Sequence, residues 1–252
     1  MTAECYTPGH TSNASDFMAK RSLQSHGQFF LSHLTPGVSV LDCGCGPGSI
    51  TLGIARAVQP GFVTGIDFGT SQIERATARA TEEAVSNVTF RVADCYALPF
   101  EDNTFDRIFS SALLEHLSDP VRAVKELHRI LKPGGIIGVC GPDWGGFLLS
   151  PPSVELARAV AAYTSLQTRN GGDVHVGRKL GDHLATAGFA GVQMSARYEC
   201  YPSLEIIGEY LALQLEQQGD ASSAWTLRAW SRSEGGMFAQ AWVSAIARKA
   251  RA

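Results

Sequence analysis

Val38-Ser39-Val40-Leu41-Asp42-Cys43-Gly44-Cys45-Gly46-Pro47-Gly48-Ser49-Ile50 joins three signals in one short run. Val38 to Leu41 is apolar and rich in β-branched residues, the composition of a strand buried on both faces of a parallel sheet. The run stops at Asp42, and glycines follow at alternate positions. Ser49 then opens a helical pattern continued by Ile50, Ile54, Ala55 and Val58. A strand, a glycine-dense turn and a helix N-terminus make a place where backbone can approach a ligand closely. With no side chains at positions 44, 46 and 48, the turn can hold the polar middle of a nucleoside.

Spacing narrows the choice. A dinucleotide turn reads G-x-G-x-x-G, whereas Gly44-x-Gly46-x-Gly48 is one residue shorter and contains Pro47. No lysine follows, so a phosphate loop is excluded. Asp42 places a carboxylate at the strand end, a poor neighbour for phosphates and a good one for a cationic ligand. Leu41-Asp42-Cys43-Gly44-Cys45-Gly46-Pro47-Gly48 resembles the first motif of class I S-adenosylmethionine-dependent methyltransferases. Phe62 to Asp67 reads as the second strand. It ends about twenty residues beyond the turn, where an acid accepts from ribose hydroxyls. Ser71-Gln72-Ile73-Glu74 has the form of a capping box for the helix that follows.

Val88 to Ala93 reads as the third strand, ending at Asp94-Cys95. Ala97-Leu98-Pro99-Phe100, the strand Phe105 to Ser110, Leu114-Glu115-His116, Asp119-Pro120 and Leu131-Lys132-Pro133-Gly134-Gly135 follow in order. This series is similar to the small-molecule subgroup of the same family, near the methyltransferases of ubiquinone and menaquinone biosynthesis. The resemblance implies a doubly wound α/β sheet of order 3-2-1-4-5-7-6 with strand 7 antiparallel, and S-adenosyl-L-methionine as cofactor. It assigns cofactor contact to Asp42, Gly44, Cys45, Gly46 and Gly48 at the turn, and to Asp67 and Phe68 after the second strand. Asp94 and Cys95 fall at the adenine, and Ser111 at the end of the fourth strand. An N-terminal helix over the cofactor would bring Tyr6, His10 and Arg21 to its methionine end.

The expected organisation is one domain over residues 1–252, with a helical cap over 1–35, a cofactor-binding core over 36–200, and lid helices with a closing strand over 201–252. Helical spacing from about Asn13 to Leu34 gives the cap, and Asp119 with Pro120 opens a helix stopped at Lys132-Pro133-Gly134-Gly135. Ile136 to Val139 is the fifth strand. Gly177 to Ala187, Leu204–Gln218 and Ser222–Ser233 read as helices, and Val192 to Tyr201 as a strand. Phe238 to Arg248 is read as the closing strand, although Phe238, Trp242, Ala245 and Ile246 also fit helical spacing.

A net charge of −3 with no basic run argues against a nucleic-acid partner. No apolar stretch approaches the roughly 20 residues of a membrane span, and Met1 to His10 has no signal-peptide core, so a cytoplasmic protein is expected. Six scattered cysteines without C-x-x-C spacing read as reduced and structural, with no metal site. A homodimer is compatible with the sequence.

Methyl transfer needs alignment and dryness more than a named catalyst, and some acceptors also need a base. His116, just past the fourth strand, is the candidate base. His10, His26 and His175 are weaker alternatives, while His33, His128 and His183 read as structural or surface residues. Neither Asn/Asp-Pro-Pro-Tyr nor Pro-Cys occurs, which disfavours methylation of nucleobase amines and of cytosine carbon. Aromatic residues crowd the second half, which favours an apolar or aromatic small acceptor methylated at oxygen or carbon. The rival readings are a non-catalytic S-adenosylmethionine-binding protein and an NAD-dependent oxidoreductase, the latter opposed by the glycine spacing.

Overall fold

All four residues of β1 (Val40–Cys43) are buried, as a run apolar on both faces requires. The computed structural model describes residues 6–9, 12–201 and 203–251. Among them β1 is flanked in parallel by β2 (Val63–Asp67) and β4 (Phe105–Ser111). β3 (Val88–Val92) extends the sheet beyond β2, and β5 (Leu131–Ser150) beyond β4. β7 (Met237–Arg248) lies antiparallel between β5 and β6 (Ala190–Cys200), completing the order β3-β2-β1-β4-β5-β7-β6. The chain leaves β1 toward β2 on one side and returns to β4 on the other. The crevice at that reversal is where open α/β sheets bind ligands.

The helices that cover the sheet are α3 (Ser49–Val58), α4 (Thr70–Glu82), α5 (Pro120–Ile130) and α7 (Val176–Thr186). In α5 the Asp119 carboxylate accepts the Arg122 N–H at 3.0 Å, and Ala123, Val124, Leu127 and Ile130 form its buried stripe. A second layer joins α1 (Ser12–Ala19), α6 (Val154–Arg169), α8 (Leu204–Gln217) and α9 (Ala221–Ser231) through Phe17, Tyr163, Tyr210 and Trp230, packed against Trp144 and Phe238. Each such large side chain contributes about 1.5–3 kcal/mol by burial. Much of the aromatic density of the second half therefore builds a core of its own. No helix among the described residues is long and apolar enough to cross a membrane.

Several expectations are corrected. The N-terminal stripe is not one helix: it breaks into α1, the short α2 (Leu23–His26) and a 3₁₀ turn over Gln28–His33. Gly69, with no side-chain bond, caps α4, so the Ser71–Glu74 capping box does not form. The Asp67 carboxylate takes the Gly69 N–H instead, at 2.9 Å. β5 runs far beyond Val139, to Ser150, because β7 pairs with it along most of that length. α6 joins the helical layer from within the stretch expected to hold only the core; Ser153 opens it by accepting the Leu156 N–H at 3.0 Å.

Candidate active site

The turn after β1 needs its glycines. Gly44, Gly46 and Gly48 have φ of 78°, 50° and 78°, the left-handed region that other residues enter at a cost. The Gly44 and Cys45 N–H groups both donate to the Ile66 carbonyl, at 2.8 and 2.9 Å, tying the turn to β2. A Cβ at Gly48 would lie 2.9 Å from that of Ala76, so this glycine also permits close packing of α4. Gly46 is different. The nearest atom to a Cβ there is the Met18 sulfur at 4.0 Å, so its face is open space beneath the end of α1.

Asp67, at the end of β2, lies against this turn. One carboxylate oxygen accepts the Gly46 N–H at 2.9 Å, and the other accepts that of Gly69. Carboxylate oxygens carry two acceptor sites each, so this anchoring is compatible with further donors. Phe68 follows with its ring 77% exposed at the same edge. Asp94 stands exposed after β3, its carboxylate accepting the Tyr96 N–H at 2.8 Å, with Cys95 half-buried beside it. Cys45 is buried, and its thiol reaches the Gly46 carbonyl at 3.6 Å.

Asp42 differs from the charge pictured at the strand end. It is buried and accepts the Thr51 hydroxyl of α3 at 2.7 Å. Burial pushes its carboxyl up to about 7, against the Thr51 bond and with Asp67 adding repulsion. Near neutrality its charge is therefore only partial.

Next to the turn, past β4, lies a cavity of about 40 Å³ lined by Tyr6, Met18, Arg21, Glu115, His116, Gln240 and Trp242 among other residues. Ser111 supports its wall: the Cys140 thiol donates to its hydroxyl at 3.2 Å, and the next residue, Ala112, turns into the cavity with φ 55°. The Tyr6 ring meets the His116 imidazole edge-on at 4.7 Å. Burial, with a smaller push from Arg21, lowers the His116 pKa to about 3, and its buried Nδ1 has no partner. The Arg21 guanidinium lies 5.1 Å from the centre of the Trp242 ring and 5.7 Å from that of Phe17. His26 contacts Glu199 at 2.9 Å, and His175 is 3.6 Å from Asp143; neither lines the cavity. His10 lies outside the described residues.

Among the lining residues, Glu115 and Gln240 escape the sequence reading as site residues, and Trp242 enters it only as one of the aromatic residues crowding the second half. Glu115 was visible only as the partner of His116 in one motif. Gln240 and Trp242, two apart on β7, share a face of that strand, but only its pairing beside β5 brings them to the β4 end. Among the described residues, no group of His, Cys, Asp and Glu is placed to hold a metal ion.

Residues 41–139 match the family model of a methyltransferase domain. An uncharacterized 37.1 kDa protein of transposon TN4556 from Streptomyces fradiae is 38% identical over 157 residues, covering 62% of this chain and 44% of that protein. Demethylmenaquinone methyltransferase of Lactococcus lactis subsp. lactis is 40% identical over 105 residues, 41% of either chain. The match thus spans half or less of the length of these curated relatives. Among solved structures, the YcgJ protein of Bacillus subtilis superposes with a TM-score of 0.64 at 18% identity, covering 89% of this chain and 98% of that one. That likeness is one of fold.

Proposed function

We propose that this chain, a member of the class I S-adenosylmethionine-dependent methyltransferases, transfers a methyl group to oxygen or carbon of a small molecule with an apolar or aromatic body. The observation that carries the reading is the open face of Gly46 with the Asp67 carboxylate bonded to its N–H. A cradle that a Cβ would fill, beside an anchored carboxylate, fits a nucleoside sugar. Gly44, Cys45, Gly46 and Gly48 would form the bed of the cofactor, with Asp42 buried alongside. Asp67 and Phe68 would hold the ribose side, Asp94 and Cys95 the adenine, and Ser111 and Tyr6 the methionine end, while Arg21, expected there from the resemblance, lies over the Phe17 and Trp242 rings and faces the acceptor's side of the cavity instead. Bound there, S-adenosylmethionine supplies a methyl carbon already activated by positive sulfur.

The chain's own task is then to orient the acceptor and keep water out. The Met18 end of α1 closes over the turn, and Tyr6 closes over His116. His116 is held in the neutral form, which can accept a proton, but burial next to Arg21 makes it a weak base. It serves as a hydrogen-bond acceptor for the substrate. The reading takes the protein as cytoplasmic, with no nucleic-acid partner. Titration calorimetry with S-adenosylmethionine and S-adenosylhomocysteine tests it: both should bind at one site per chain, and absence of heat with either ends the reading.

A further inference from the structure

Three buried polar atoms on the cavity wall have no hydrogen-bond partner, Glu115 Oε2, His116 Nδ1 and Gln240 Nε2, and a fourth, Trp242 Nε1, forms no well-aligned bond and has only the Tyr201 hydroxyl near it. Glu115 and Gln240 are each 3% exposed and Trp242 is 2% exposed, so solvent does not serve them freely. Leaving a buried polar group unmatched costs about 1–3 kcal/mol. Orphans gathered on one cavity point to something that enters it. They are also sorted by kind. Past β4, Glu115 offers an oxygen and neutral His116 a lone pair. On β7, Gln240 and Trp242 offer N–H groups; the Gln240 oxygen is already taken by the Tyr201 hydroxyl at 3.4 Å. Arg21 adds a cation. Its guanidinium rests on the rings of Phe17 and Trp242 and has no hydrogen bond to a described residue, and no ion pair joins it to Glu115.

We infer that the acceptor presents a hydroxyl group to Glu115 and a carbonyl or carboxylate oxygen to Arg21, Gln240 and Trp242, and that Glu115 takes the hydroxyl proton. The inference rests on the methyltransferase reading and names the class of its acceptor: a phenol or enol carrying a second, proton-accepting oxygen. In the step assigned to Glu115 the acceptor's O–H bond breaks. The proton passes to Oε2 to give a neutral carboxyl, and the bonding pair stays on the acceptor oxygen near the Arg21 cation. That oxygen, or the carbon conjugated to it, becomes the nucleophile. The neutral carboxyl later releases its proton to water. Burial supports the assignment by pushing the Glu115 carboxyl up to about 7, with its own backbone N–H and Arg21 opposing. An acid–base group near the working pH exchanges protons most effectively.

The groups facing Glu115 leave it as the titrating member of this set near neutrality. His116 is neutral because burial lowers it to about 3. Tyr6, Tyr163 of α6 and Tyr210 of α8 are raised by burial, and burial takes the Cys140 thiol of β5 up to about 12. Calorimetry on the full chain saturated with S-adenosylhomocysteine tests the inference, with salicylate, benzoate and phenol as probes. Salicylate should bind about tenfold more tightly than either, since each of the others lacks one of the two hydrogen-bonding groups. Its advantage over benzoate should grow as pH rises through 7, when Glu115 becomes a full acceptor. Glu115→Gln should abolish that pH dependence, and Arg21→Met should erase the advantage over phenol. S-adenosylhomocysteine should still bind the Glu115→Gln protein, which certifies its fold. Equal affinities for the three probes, no binding of any, or ratios unmoved by both substitutions would overturn the inference while leaving the methyltransferase reading standing. Failure of the wild-type chain to bind S-adenosylhomocysteine would overturn both.

Discussion

The turn after β1 and the cavity past β4 lie side by side and are finished to different degrees. At the turn, Gly44 and Cys45 donate to Ile66, and Gly46 and Gly69 donate to Asp67. In the cavity, Glu115, His116 and Gln240 each keep an unmatched atom. A site that receives the same nucleoside each time can be built rigid and satisfied. A site that orients a reacting molecule keeps its polar capacity for that molecule, and the fold carries the cost of dry, unpaired groups.

The largest test of this contrast is a pH series on the ligand-free protein. The folded-state pKa of Glu115 lies above its ordinary value of 4.5, at about 7. Between those values the native state keeps a proton that the unfolded chain has lost. Its contribution therefore falls as pH rises through this window and stays low above it. Glu115→Gln should be indistinguishable from wild type near pH 4 and more stable above pH 7 by on the order of 3 kcal/mol, read from urea unfolding. A difference that does not change with pH would mean the cavity is as satisfied as the turn.

Asp67→Ala should cost less stability than it costs affinity. Calorimetry should show S-adenosylhomocysteine binding weakened by about 1.5–3 kcal/mol, the worth of hydrogen bonds to a charged group. Unchanged affinity would remove the carboxylate from the sugar. The smallest effect is expected for Gly46→Ala. Its φ of 50° costs an alanine about 1 kcal/mol in thermal stability, and no clash adds to it. The same methyl group should still reduce cofactor affinity, because it occupies the cradle.

Legibility in the sequence follows the same division. Residues 38–50 were readable because strand, turn and helix start are dictated by neighbours along the chain. Asp119 with Pro120 marked the start of α5 for the same reason. The Ser71–Glu74 signal failed because the helix starts earlier, after Gly69, whose N–H is taken by the Asp67 carboxylate two residues back. α6 passed unread although Ser153 does cap it. β7 was ambiguous because it is paired on both edges and covered on both faces, so burial along it does not alternate. Exposed Phe68 was placed by motif alone; it lies just past the end of β2, outside the paired strands, where a large ring stays uncovered.

Local rules in the chain were enough to specify the glycine turn with the strand and helix that flank it, because these depend on backbone conformation and on residues close in sequence; the strand order was expected from the family resemblance and is made by pairing between distant strands. The unpaired state of Glu115, the weak basicity of His116 and the arrival of Arg21, Gln240 and Trp242 at one cavity depend on burial and on contacts between distant segments. Solvent exclusion is a property of the assembled molecule, and it alone turns ordinary polar side chains into groups that require a partner.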